Sequence, residues 1–316
     1  MTAPVRHVWA ALLVVYVVWG STYLGIKIVV ETMPPLLSGG ARFLVAGALL
    51  AAILAIRGTS LRITRRELGG AAIAGFLLLT LGVGVVHVAE TRIDSSVAAM
   101  IAGTVPLQVI LMRLASGDSP ARATRLSTVA GLAGLGLVIA PGLGSGSTAV
   151  GLAIMVGASI AWSTGSFLTG RRLTLPKNPF VAAVYEMAAG GVVLTAAALA
   201  LGEWRQLDAA AFTADSIAAW VYLVVAGSLV GFTAYAWLLR AAPISLVVTH
   251  QYVNPLVAIA LGMLVLAERP GLLALAGAAL VIGSVYVAVR AETSAAATTP
   301  LPASAARPGT PAGRTV

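Results

Sequence analysis

Long apolar runs alternate with short polar or Gly/Pro-rich breaks along almost the whole chain. About 20 apolar residues in a helix cross a bilayer, and the runs give ten candidate spans, at 8–30, 36–56, 69–89, 95–112, 127–143, 149–168, 180–201, 216–238, 244–266 and 271–289. Within the runs apolar residues do not alternate with polar ones. That argues against a β-barrel, which needs period two, and for helices, which satisfy their own backbone in hydrocarbon. The fifth span is rich in glycine, and only Ala241 to Pro243 separates the eighth from the ninth. From Thr293 the large apolar residues thin out into Ala, Thr, Pro and Ser. That composition predicts a disordered tail over 293–316.

The pattern is written twice. The stretch from Ser96 to Leu107, with Pro106, aligns without a gap on the stretch from Ser245 to Leu256, with Pro255, at an offset of 149 residues. Each is followed by a short polar loop closed by a proline, Pro120 or Pro270. Four more matches keep the same order: Trp19 with Trp162, Pro35 and Arg42 with Pro179 and Glu186, Gly82 with Gly231, and Leu126–Gly134 with Leu272–Leu280. Five spans per copy is an odd number, so the copies face opposite ways across the membrane. The reading is an all-α integral membrane protein of ten transmembrane helices in two inverted five-helix repeats, a geometry used by transporters.

Composition supports the bilayer as solvent. The chain is 59% hydrophobic and 10% charged, against about 25% charged in soluble domains. The net charge of +9 does not point to nucleic acid, because the basic residues sit between apolar runs. With the N-terminus inside, 15 Lys and Arg fall in inside segments and 3 in outside loops, and Lys27 and Arg42 remain within spans. That asymmetry predicts both termini in the cytoplasm. The first apolar run is too long for a cleaved signal peptide and reads as a retained span. With no cysteine, disulfides, thiolate metal sites and thiol catalysis are excluded.

Val18-Trp19-Gly20-Ser21-Thr22-Tyr23, Pro34-Pro35 with Arg42-Phe43, Ser95-Ser96-Val97-Ala98-Ala99 with Pro106, and the late Pro255-Leu256 with Leu266-Ala267-Glu268 carry a resemblance. In order, over about residues 8–290, they resemble the EamA family of the drug/metabolite transporter superfamily. The resemblance implies a bacterial inner-membrane exporter with repeats at 8–143 and 149–290. It also implies a central cavity lined by the first four helices of each repeat, with the fifth and tenth helices at the periphery. The chain departs from the family in Gly117-Asp118-Ser119-Pro120, where a glutamate is usual. A position changed in one copy reads as structural.

Intramembrane polar residues are the candidates for binding and coupling, since such groups usually face protein or an aqueous interior. Lys27 and Arg42 lie toward the outer parts of their spans and suit a carboxylate or phosphate. Otherwise Lys27 snorkels to headgroups and Arg42 pairs with Glu31 or Glu90. Glu186, the counterpart of Arg42, is a candidate proton carrier or an acid satisfied beside Arg171 or Arg172. His87 and Glu90 share a helical face three residues apart and read as an outer gate or an interfacial cap. His250 and Asn254 share a face with i, i+4 spacing, while Pro255 withdraws a hydrogen bond from the carbonyl near Gln251. That segment, and the one with Pro106 and Gln108, reads either as a broken helix lining a cavity or as a kinked polar contact. Trp19, Tyr23 and Trp162 read as cavity walls or as parts of interfacial belts. Ala130 with Gly134 and Ala279 with Gly283 favour close helix contact, within the chain or at a homodimer seam through the tenth helix.

No metal site follows from three histidines remote in sequence, and no cofactor is implied. Neither a phosphate-binding G-x-x-x-x-G-K-[ST] loop nor an H-E-x-x-H motif occurs, so ATP hydrolysis and zinc chemistry have no visible seat. The expected function is secondary active export or exchange of small metabolites, amino-acid-like or drug-like, with a proton as the candidate coupling ion. A passive facilitator or channel is the alternative. An intramembrane enzyme lacks a nucleophile–base constellation.

Overall fold

A computed structural model describes residues 5–117, 121–143, 146–241 and 250–298. Asp118, Ser119 and Pro120, residues 244–249 of the ninth span and the tail 299–316 lie outside the described residues, as does the side chain of Gln251.

Among the described residues the helices form ten rods and no strand occurs. They are α1 (Val5–Val29) and α2 (Pro35–Ile56), then α3, which runs from Arg65 to Glu90. After these come α4 (Ser95–Ala115), α5 (Arg122–Ile139), α6 (Gly146–Arg171) and α7 (Pro179–Ala200). The eighth, α8, starts at Ala214–Tyr222 and continues through Leu223–Val230 into Gly231–Ala241. The last are α9 (His250–Val265) and α10 (Leu272–Thr298). Seven, α1 to α4 and α6 to α8, are long and apolar enough to cross a membrane by length and composition. Shorter apolar stretches occupy Val253–Val265 and Leu272–Ala288. The last helix continues over residues 293–298, where three of the six residues are alanine, the strongest helix former.

Local chemistry explains the helix starts. Pro35 opens α2, where a missing N–H costs nothing. The carboxylate of Glu203 accepts from the N–H groups of Leu36 (3.3 Å) and Leu37 (2.9 Å). Thr64 and Glu67 form a reciprocal capping box at the start of α3. Asn178 accepts from the Phe180 N–H to start α7. Glu268 starts α4: Oε1 accepts from Ser95 N (2.8 Å) and Oγ (2.7 Å), and Oε2 from Ser96 N (3.0 Å). Ala267 ahead of it adopts φ 52°, a left-handed turn more usual for glycine.

Packing is reciprocal between the halves. α1 lies against α8 and α9, and α6 lies against α3 and α4. α2 pairs with α7, burying Phe43, Leu79, Met187 and Leu194 with α3. α5 pairs with α10 away from the centre. There a Cβ on Gly134 would stand 2.8 Å from the Gly277 carbonyl, and one on Gly277 would stand 2.6 Å from the Gly134 carbonyl. Only glycine permits that approach, and close approach is what favours helix association in lipid. The seam through Gly134 is therefore within the chain, whereas nothing lies within 4 Å of a Cβ on Gly283. Large side chains such as Leu264 and Leu272 are exposed at 82% and 86%, as a lipid-facing surface requires.

Both α3 and α8 contain a π-helical stretch, Gly75–Gly84 and Leu223–Val230. Single π turns recur at functional sites, and these two occupy corresponding places in the halves.

Candidate functional site

A cavity of about 110 Å³ lies at the centre of the bundle. Among the described residues its walls come from α1, α2, α3, α4, α6, α8 and α9, and none from α5 or α10. Both π stretches reach it, through Gly82 and Val83 on one side and Gly227 on the other. Pro106 shapes a third wall. The helix α4 is interrupted by a turn at Gly103 and Thr104, and Pro106 has no N–H for the carbonyl of Ala102. Ala102 and Val105 both line the cavity. By contrast α9 stays helical through Pro255. The expected helix break there is a single missing hydrogen bond, which the neighbouring turns tolerate. The two proline segments meet, since a Cβ on Gly103 would stand 3.0 Å from Pro255 Cγ.

Trp19 and Trp162 both line the cavity. Trp19 donates from Nε1 to the Gly227 carbonyl (3.2 Å). Its ring stands 4.9 Å from Tyr235 and 5.3 Å, edge-on, from His250, centroid to centroid. Tyr235 and His250 close the triad at 5.5 Å, within the range of aromatic attraction. The indole sits against Gly231, where a Cβ would overlap Nε1. Trp162 sits in the same way against Gly82, where a Cβ would stand 3.1 Å from its ring. Tyr23 and Asn254 also line the cavity. With its nitrogen turned toward them, the Asn254 amide donates to the carbonyls of His250 (3.1 Å) and Tyr16 (3.3 Å).

Arg42 brings the charge. It is 3% exposed and borders the cavity. Nε donates to Ser228 Oγ at 2.9 Å, while Nη1 is enclosed without a partner. The guanidinium also lies 5.3 Å from the Phe43 ring centroid. The expected pairing with Glu31 or Glu90 is not formed; a hydroxyl on the π stretch of α8 takes that place.

The sequence reading missed a hydrogen-bonded chain beside the cavity. Gln108 donates from Nε2 to Thr104 Oγ1 and to Ser159 Oγ, both at 2.9 Å, and accepts from Ser163 Oγ at 2.7 Å. Ser159 and Ser163 are i, i+4 on α6, a spacing that could have exposed them.

Four other candidates lie outside the cavity lining. Lys27 does not snorkel: Nζ donates to the carbonyls of Glu90 (2.7 Å) and Ile93 (2.9 Å), closing the end of α3. That is a favourable place for a cation. Glu90 is fully buried and neither carboxylate oxygen has a partner. His87 is fully buried, with Nδ1 3.4 Å from the Val83 carbonyl and Nε2 unpartnered. Glu186 is 9% exposed, and its backbone meets Gly75 at the start of the π stretch of α3. Between α3 and α4, partial burial raises the Asp94 carboxyl above its ordinary range; nearby Glu268 adds to this and Lys27 opposes it. Among the described residues no cluster of His, Asp or Glu is arranged to hold a metal.

Apolar helices of membrane-crossing length around a cavity with aromatic and polar walls define a helical integral membrane protein. The EamA-like transporter family matches the chain twice, over residues 7–140 and 149–290, and the chain belongs to it. It is 39% identical over 255 residues to the uncharacterized inner membrane transporter YedA of Escherichia coli (strain K12), covering 80% of this chain and 81% of YedA. It is 24% identical over 282 residues to the uncharacterized transporter YvbV of Bacillus subtilis (strain 168), covering 87% and 90%. A solved crystal structure aligns with a TM-score of 0.62 at 19% identity over 88% of this chain and 97% of that one, a likeness of fold alone.

Proposed function

We propose that the protein is a secondary active carrier that exports or exchanges small organic metabolites across a bacterial inner membrane. The single observation behind this reading is a central cavity whose walls come from both halves through matching tryptophan–glycine contacts. Such a seam can open to one side or the other while the cargo site stays in place. Ten crossings, inverted halves and two cytoplasmic termini complete the proposal. The double family match and the paired π stretches support it. The drive is exchange of substrate or of a proton, since the chain has no phosphate-binding loop to seat ATP.

Counterflow tests the proposal. Purified protein in liposomes preloaded with unlabelled cargo is expected to draw labelled cargo in transiently above its equilibrium level. Flux without trans-stimulation would mark an open pore instead.

A further inference from the structure

The central cavity holds one fixed positive charge and no negative one among the described residues. Arg42 lines it; no aspartate or glutamate does. The guanidinium is almost wholly buried, yet its one hydrogen bond among the described residues goes to a neutral hydroxyl. Arginine cannot escape by losing its proton, and a buried charge without a counter-charge is costly. His87 and His250, the histidines nearest this region, cannot supply a negative charge whatever their state. Around the cation stand the apolar faces of Trp19, Tyr23 and Trp162, suited to an organic body.

We infer that the cargo is a small organic monoanion whose carboxylate pairs with Arg42, and that organic cations are excluded from the same cavity. The planar guanidinium matches a carboxylate in shape as well as charge. One cation fixes the cargo's charge at one, because a second anionic group would be buried without a partner. The inference rests on reading the cavity as the transport site and gives that site a substrate class.

The experiment follows thermal unfolding of the full-length protein in nanodiscs by tryptophan fluorescence, with probes matched in carbon body and differing in their polar group. One set is sodium butyrate, butyramide and butylammonium chloride; the other is sodium phenylacetate, phenylacetamide and phenethylammonium chloride. Sodium chloride at equal ionic strength is the control for a general salt effect. The acids are expected to protect at concentrations about tenfold or more below their amides, with no protection by the ammonium compounds. Arg42→Gln should abolish that preference, and Arg42→Lys should keep part of it. Equal protection by acid and amide, protection by the ammonium compounds, an acid preference that survives in Arg42→Gln, or no acid effect beyond chloride would overturn the inference. The wild-type comparison decides by itself if Arg42→Gln does not fold. Acid binding without counterflow would defeat the carrier proposal and leave this inference standing. Counterflow of a cation without acid binding would do the reverse.

Discussion

Trp19 on Gly231 and Trp162 on Gly82 are the same contact made twice, each joining the first helix of one half to the third helix of the other. Their surroundings differ. Trp19 donates to Gly227 and stacks in a triad with Tyr235 and His250, whereas Trp162 stands beside the Gln108–Ser159–Ser163 hydrogen bonds. The charges differ more. Arg42 borders the cavity, and its counterpart Glu186 does not. Duplication has kept the frame, small residues and π stretches included, and let the chemistry of the two halves diverge. A chamber between identical halves would carry paired charges; among its described lining residues this one carries a single charge and so selects by sign.

The largest expected asymmetry is steric. Gly231→Ala places a methyl group on the Trp19 indole nitrogen, already fixed by its own hydrogen bond. It should cost about 1–3 kcal/mol, the usual range for overpacking, and most of the transport. Gly82→Ala meets Trp162 at 3.1 Å and should cost less than about 1 kcal/mol, since a few tenths of an ångström suffice for relief. Unfolding midpoints of the two variants check the order; equal losses would mean that the contacts are equivalent after all.

The charges come next. Arg42→Gln should lower carboxylate flux by about tenfold or more, the scale of a lost charge-assisted bond. Glu186→Gln should leave cargo affinity within about twofold, because a group outside the lining touches no cargo. A larger effect from Glu186 would put the acid in the site or in the cycle that opens it, and a pH profile of flux would tell these apart. The smallest difference concerns the indoles. Trp19→Phe loses the bond to Gly227 and should cost about 1 kcal/mol. Trp162→Phe gives up no indole hydrogen bond among the described residues and should cost only lost packing, as parallel melting curves would show.

Much of this was legible in the sequence. Hydropathy located the rods, since a helix in lipid must present apolar side chains throughout its length. Trp19, Tyr23, Arg42, Trp162, His250 and Asn254 were all marked, and all line the cavity. Lys27 shows the limit: a charge in a span announces that it has a partner, but not that the partner is a pair of backbone carbonyls. The π stretches could not be foreseen, because an apolar run reads alike whether its ladder bonds span four residues or five. Gln108 was noted only as an equivalent position, since its partners lie 51 and 55 residues away. The capping role of Glu268 was hidden for the same reason.

Access to the chamber from both faces of the membrane is the most direct test. The chain has no cysteine, so Ala102→Cys places one thiol on the cavity wall against no background. Labelled with a membrane-impermeant maleimide in spheroplasts and in inverted vesicles, the thiol should react from each side, with a bound carboxylate slowing both reactions. A thiol that reacts from one face only, under every condition of substrate and gradient, would contradict a chamber that opens alternately.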